Sequence, residues 1–384
     1  MKVILYDPAE IRLNLLPLTY TRPVGAMRCG LFTAAERWQR LLPAQYGWQT
    51  EDYLTELFPT PFEADDDTLY IPGNLMATPE LAAAVQALQP GQRLMSGSRE
   101  LARCGQGTED VAFTGECVFI DQIYHIFGRN GAQLVADIAL ITAGRESRPL
   151  SATNRVIGDP GLIFLEEGAC VEGATLNTTH GPIYIGPDAT VMEGACLRGP
   201  LGLCTHSQIN MGALVYGETT LGPWCKVGGE LNNVVMQGFS NKAHDGFLGN
   251  AVIGEWCNLG AGCVASNLKN DYTEIRLWNY AAHRFLRTGL QFCGLIMGDH
   301  SKAAINTSFN TATTVGVGCN IISEGMPRVF IPSFLKGGTN GFDDVPVEEF
   351  FKVARRVMAR RGVELDAAHE RMYRAIAEFS DRFK

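Results

Sequence analysis

Charge is scarce in this 384-residue chain: only 19% of its residues are Asp, Glu, Lys or Arg, and the balance is acidic, −9 at pH 7. No broad basic surface can be built from so few cations, which argues against nucleic acid or an anionic membrane as the main partner. A local basic pocket for a phosphate is still allowed. CxxC pairs are absent, and the eleven cysteines, an odd number, stand mostly beside glycine or aliphatic residues. That pattern excludes a disulfide framework and a zinc knuckle, and it predicts small buried thiols. A long apolar run is lacking at the start, where MKVILYDPAE is soon broken by charge and proline. It is too short for a signal peptide or a membrane span, so the expectation is a cytoplasmic protein. What the chain does have is apolar residues, 46% of the total, enough for a large core and for two domains rather than one.

The strongest pattern is a repeat. Ile185, Val191, Leu197, Leu203, Ile209, Val215, Leu221 and Val227 fall six residues apart without a gap. The phase returns with Phe247, Ile253 and Leu259, then with Met297, Ala303, Phe309, Val315 and Ile321; Ile157, Ile163, Leu165 and Val171 show it more loosely upstream. Such spacing predicts a coil with three flat faces per turn, in which each unit makes one short strand with its aliphatic residue pointing inward and small residues at the corners. The pattern resembles the hexapeptide-repeat left-handed parallel β-helix over residues 155–325. Two interruptions, Val227 to Phe247 and Ser266 to about Gly294, read as loops thrown out of the coil, where function tends to sit. The second carries Asn267, Lys269, Trp278, His283, Arg284 and Arg287.

Either side of the coil the period changes. Residues 345–384 show apolar spacing of 3.6 type, predicting two terminal helices separated by Gly362, with Phe350, Phe351, Val357, Met372, Ile376 and Phe379 in the core. In residues 1–144, MKVILYD and DDTLYIPG read as strands, with one helix opening near Thr33 and another capped by Thr78 with Pro79 at its first position. Alternating elements of this kind predict a small α/β domain. The polar run GRESRPLSATNR is the expected linker.

The segment from Ser240 to Gly262, SNKAHDGFLGNAVIGEWCNLGAG, together with Asn267, is similar to the acetyltransferase half of the bifunctional enzymes that make UDP-N-acetylglucosamine. The resemblance implies acetyl transfer from acetyl-CoA to the amine of a glucosamine phosphate, at a site between neighbouring β-helices of a homotrimer. It places His244 on the catalytic histidine, and an imidazole is suited to removing a proton from an amine near neutral pH. It places Asn258 on a sugar-binding asparagine, Asn267 beside the acyl donor, and Lys242 and Arg198 near the acceptor phosphate. Phe247 stands where the family has tyrosine, keeping the ring without the hydroxyl. His180, His206 and His300 also lie in the repeat, but no close histidine pair occurs to suggest the zinc site of the carbonic-anhydrase-like β-helix class, so no metal is expected.

The front of the chain resembles the other half of the same family. PLTYTRPV, Pro17 to Val24, is similar to the PLTxxxPK segment of sugar-phosphate nucleotidyltransferases, and the domain is a truncated form. The glycine-rich phosphate loop is replaced by PAEIR, Val24 stands in place of the lysine, and LYIPGNLMA has no aspartate for a metal. Arg12, Arg22 and Arg28 are the candidate nucleotide-binding cations, with Mg2+ required if that domain is active. Two enzymatic readings result. One is CoA-dependent acyl transfer to an amino sugar phosphate or nucleotide-sugar; the other is nucleotidyl transfer to a sugar 1-phosphate, with the β-helix serving to trimerise. A third, non-enzymatic reading is a sensor of sugar nucleotides.

Overall fold

The computed structural model describes residues 1–384, which form two compact units. One comprises Met1–Met27, Phe32–Ile123 and Asp366–Ala375; the other comprises Arg28–Leu31, Tyr124–Leu365 and Ile376–Lys384.

The first unit is built on a 6-stranded sheet. Lys2–Tyr6 pairs in parallel with both Gln45–Gln49 and Leu69–Pro72; Arg99–Cys104 joins the far side of Leu69–Pro72 antiparallel and is followed by Gln92–Ser96 and Glu109–Ala112. The expected helices are there. Ala34–Leu41 starts with a full capping box, Thr33 accepting from the Glu36 amide and the Glu36 carboxylate accepting from the Thr33 amide. Pro79–Gln86 starts with Thr78 accepting from the Leu81 amide and with proline in the first turn. Trp38 is the fully buried centre of this core, with its indole N–H donated to the Leu75 carbonyl at 2.9 Å.

The second unit is a parallel β-helix. Strands stack one above the next along its faces, in the registers Ile183↔Leu201↔Thr219, Val191↔Ile209↔Val227 and Leu197↔Val215. The inward column predicted from the six-residue period is buried from Ile185 to Val227, and each fully buried aliphatic side chain contributes roughly 1.5–3 kcal/mol. At one corner of the coil Asp188, His206, Trp224, Phe239, Trp256, His300 and Phe334 all adopt φ between 53° and 61°. A left-handed backbone costs about 1–2 kcal/mol for such residues. Ring stacking offsets part of that: His206 lies 4.1 Å from Trp224, and Phe239 lies 4.2 Å from Trp256 with planes 11° apart.

Four expectations need correction. Val227 to Phe247 is not a loop, because the strand Glu230–Gly238 continues the coil and Val227 pairs with Lys242 after a shortened turn. Phe247 is half-buried on the outer surface, and Leu248 takes the inward place beside Leu231 and Ala265. Ile157 likewise faces outward, at 38% exposure, while Val156 pairs with Leu176 and packs on the core. Cys170 and Cys196 are exposed at outward strand positions rather than buried. The second interruption is a true excursion, an antiparallel pair of Arg276–Asn279 and Arg284–Arg287.

The helix Tyr124–Thr142, read from sequence as the end of the first domain, packs instead on Leu201–Leu203, Thr219–Leu221, Glu230–Gly238 and Phe247–Glu255 of the coil. It holds the tetrapeptide Arg28–Leu31 there. The Gly30 amide donates to Asn130 Oδ1 at 2.7 Å, the Leu31 amide donates to Asp137 Oδ2 at 2.8 Å, and Gln237 exchanges two hydrogen bonds with the backbone of Arg28. The terminal helices are Val347–Ala359 and Ala367–Ser380, with Gly362 between them at φ 68°. Phe350, Phe351, Met372 and Ile376 are buried as expected, and Val357 and Phe379 are half-buried. No helix is long and apolar enough to cross a membrane.

Candidate functional site

One face of the coil presents a row of polar side chains. Its two-residue strands Lys226–Val227, Asn241–Lys242, Asn258–Leu259 and Lys302–Ala303 pair so that Lys226, Asn241, Asn258 and Lys302 stand in register. The second residue of each strand points inward and the first outward, as period two requires. Lys242 therefore falls in the interior column. It is 1% exposed, and its ammonium donates to the carbonyls of Gly228 at 3.0 Å, His244 at 2.7 Å and Asp245 at 3.1 Å. Three carbonyls match its three N–H bonds. This corrects the expectation that Lys242 binds substrate: its donors are all engaged inside the coil, where burial pulls its pKa down to about 8.

The chain leaves this face after Lys242 and reaches the next at Phe247, so Ala243 to Gly246 form the edge between two faces. His244 is exposed on that edge. Asn258 lies outward on one side of it, and Phe247 lies on the other. Beyond Phe247 the chain is tight: a Cβ on Gly249 would come within 2.5 Å of the Phe247 ring and 2.6 Å of Asn267 Nδ2. Asn267 is fixed by donating to Asn250 Oδ1 at 2.8 Å. The structure thus gathers Phe247 and Asn267 around Gly249, three to five residues past His244 in the chain.

Arg198 lies apart. It is exposed in a groove of about 260 Å³ on the face that carries Asn177, Cys196 and Tyr216. The expected nucleotide-binding arginines are buried. Arg12 bonds to Asp7 at 3.1 Å, to Tyr53 Oη at 2.7 Å and to the Arg22 carbonyl at 3.3 Å, which makes it a clamp on the turn after the first strand. Burial raises the Asp7 carboxyl above its ordinary range, with Arg12, Thr50 and the Val24 amide opposing. Arg22 is 5% exposed. Arg28 belongs to the other unit and donates to the Leu31 carbonyl. These placements give Arg12 and Arg28 architectural work, which the sequence did not signal. The donor set suits magnesium poorly too, since the Asp7 carboxylate already accepts from a guanidinium, a hydroxyl and an amide.

Two further cavities on the coil carry basic side chains. The larger, about 950 Å³, lies against the excursion and is lined by Lys269, Arg276, Trp278, His283 and Arg284 among others. Trp278 is stacked on Phe330 there, 4.0 Å between centroids. The smaller, about 420 Å³, lies over the polar row between Lys226 and Lys302 and is closed by Val357, Arg360 and Arg361 near the end of the first terminal helix. Asn258 and Ala243 line it together with Lys226, Lys302, Arg360 and Arg361, which are not among the residues expected from sequence. A signal existed for the two lysines, each of which immediately precedes an inward residue of the column.

Residues 3–146 match the family model described as sugar nucleotidyl transferase. Among curated proteins, the chain is 33% identical over 76 residues to the bifunctional protein GlmU of Methanocaldococcus jannaschii, covering 20% of this chain and 18% of that protein. It is 28% identical over 176 residues to the bifunctional sugar-1-phosphate nucleotidylyltransferase/acetyltransferase of Sulfurisphaera tokodaii, covering 45% of this chain and 40% of that protein. The chain is thus similar, over part of its length, to these bifunctional proteins. Its matches span less than half the length of either. A solved Arabidopsis UDP-N-acetylglucosamine acyltransferase is 14% identical and covers 56% of this chain and 77% of its own, with a TM-score of 0.22.

Proposed function

We propose that this relative of the bifunctional proteins transfers an acyl group from a CoA thioester, acetyl-CoA in the first instance, to the amine of a sugar phosphate or nucleotide-sugar. The observation that carries the reading is His244, exposed on a coil edge with Asn258 on one flank and Phe247 and Asn267 on the other. Its imidazole removes the ammonium proton so that the lone pair attacks the thioester carbon; the thiolate then leaves and takes a proton to become free CoA. Asn258 holds the acceptor by hydrogen bonds, Asn267 faces the donor, and Phe247 supplies a flat apolar wall. The same edge also exposes Met211 and Ile305, at 71% and 66%, and apolar side chains left in water along an edge favour self-association. That supports a homotrimer in which the groove beside His244 is completed by an adjacent copy. Acetyl-CoA with glucosamine 1-phosphate is expected to release free thiol. Failure with that acceptor and with a panel of other amino sugar phosphates and nucleotide-sugars would remove the reading.

A second reading, nucleotidyl transfer to a sugar 1-phosphate, is favoured by the family match over residues 3–146. It expects pyrophosphate release from a nucleoside triphosphate with magnesium. Arg22→Ala is the variant that tests it, read beside thermal denaturation because Arg22 is itself 5% exposed.

A further inference from the structure

The cavity over the polar row has an unusual lining for so acidic a chain. Lys226, Lys302, Arg360 and Arg361 line it, joined by Asn241 and Asn258, and no aspartate or glutamate does. The two lysines bracket the two amides along the coil, roughly 14 Å apart at ordinary strand spacing. The arginines come from the opposite side, at the C-terminal end of Val347–Ala359. One buried donor of the lining, Arg361 Nε, has no hydrogen-bond partner. Buried polar groups are nearly always satisfied, and unsatisfied ones in a cavity mark where a ligand supplies the missing bond.

We infer that this cavity binds the pyrophosphate group of a phosphate ester. Four cations with no neutralising carboxylate call for more than one negative charge, and a diphosphate meets that better than a single phosphate. Arginine donates in a planar fork to two phosphate oxygens, while lysine adds a point charge. Side-chain amides such as that of Asn241 offer neutral N–H donors beside them. Lys302 is held nearby by donating to the His300 carbonyl at 2.7 Å, and burial pulls its pKa down to about 8, so an arriving anion also draws a proton onto it. The bound group links the coil to the helix above it. This site uses neither His244 nor any acyl donor, and it shares with the proposed acyl transfer only Asn258.

The test is calorimetric titration of the full chain at pH 8 with inorganic pyrophosphate, UDP and orthophosphate. Saturable binding of pyrophosphate and UDP is expected, at least tenfold tighter than orthophosphate, with proton uptake seen as a difference in heat between Tris and HEPES buffers. Equal affinity for pyrophosphate and UDP means that the site reads the diphosphate alone; tighter UDP means that it reads the ester. Arg360→Ser and Arg361→Ser together are expected to weaken binding tenfold or more, and Lys226→Met severalfold. Arg356→Ser, on the same helix outside the lining, is expected to change nothing. No saturable binding, orthophosphate binding as tightly as pyrophosphate, or equal affinity in the wild type and the Arg360/Arg361 variant would overturn the inference.

Discussion

The ammonium of Lys242 donates to the carbonyl oxygen of His244 at 2.7 Å from inside the coil, and the same ammonium holds the next carbonyl, that of Asp245. The edge carrying the exposed imidazole is thereby pinned from behind. Lys242→Met keeps the length of the inward side chain and removes the pin. Losing the bond to the Gly228 carbonyl costs about 1–3 kcal/mol, and the His244 and Asp245 carbonyls lose the same donor. The predicted result is a modest fall in Tm with a ten- to hundredfold fall in kcat, since small displacements of a reacting group are expensive. Steady-state kinetics beside thermal denaturation check this.

Burial pulls both Lys242 and Lys302 down to about 8. In the unfolded chain these lysines keep their protons to about pH 10.4. Between those values the unfolded state binds more protons, so the contribution of both groups to stability becomes less unfavourable as pH rises. Below pH 8 both states are protonated and the penalty is constant. Urea denaturation at pH 7.5 and 9.5 is predicted to show the Lys242→Met, Lys302→Met double variant gaining less, or losing more, than the wild type over that interval. The difference is at most about 1.4 kcal/mol per pH unit for each lysine.

Asn130 is fully buried, accepts from the Gly30 amide and donates to the Glu218 carbonyl at 2.7 Å. Asn130→Ala strands both backbone groups. A loss of about 2–4 kcal/mol is predicted, measured by chemical denaturation.

Gly249 has no room for a methyl group between the Phe247 ring and Asn267. Gly249→Ala is predicted to displace one of them and to raise KM for the CoA thioester, at about 1–3 kcal/mol of stability for the overpacking. An unchanged KM would detach Asn267 from the donor.

The coil was legible because its inward column from Ile185 to Val227 is wholly aliphatic and buried, so it printed its period on the sequence. The phase slipped at Phe247 because the inward Leu248 and Ile253, paired with Leu231 and Met236, stand five residues apart rather than six. Lys242 was misplaced for a related reason: a lysine is normally a surface residue, and only the pairing with Val227 reveals it as an inward one. His244, Asn258, Phe247 and Asn267 were readable from their order in one segment. Arg360 and Arg361 were not, since they approach the polar row from far along the chain. The anchoring of Arg28–Leu31 was equally silent, resting on hydrogen bonds to Asn130, Asp137 and Gln237.

The most direct measurement is acetyl-CoA turnover by His244→Ala, with free thiol followed continuously and the oligomeric state checked by sedimentation. A proton-removing imidazole contributes typically 10²–10⁴-fold, so kcat is predicted to fall by at least a hundredfold while assembly and secondary structure stay those of the wild type. A variant that turns over at the wild-type rate would contradict the assignment of His244 as the base.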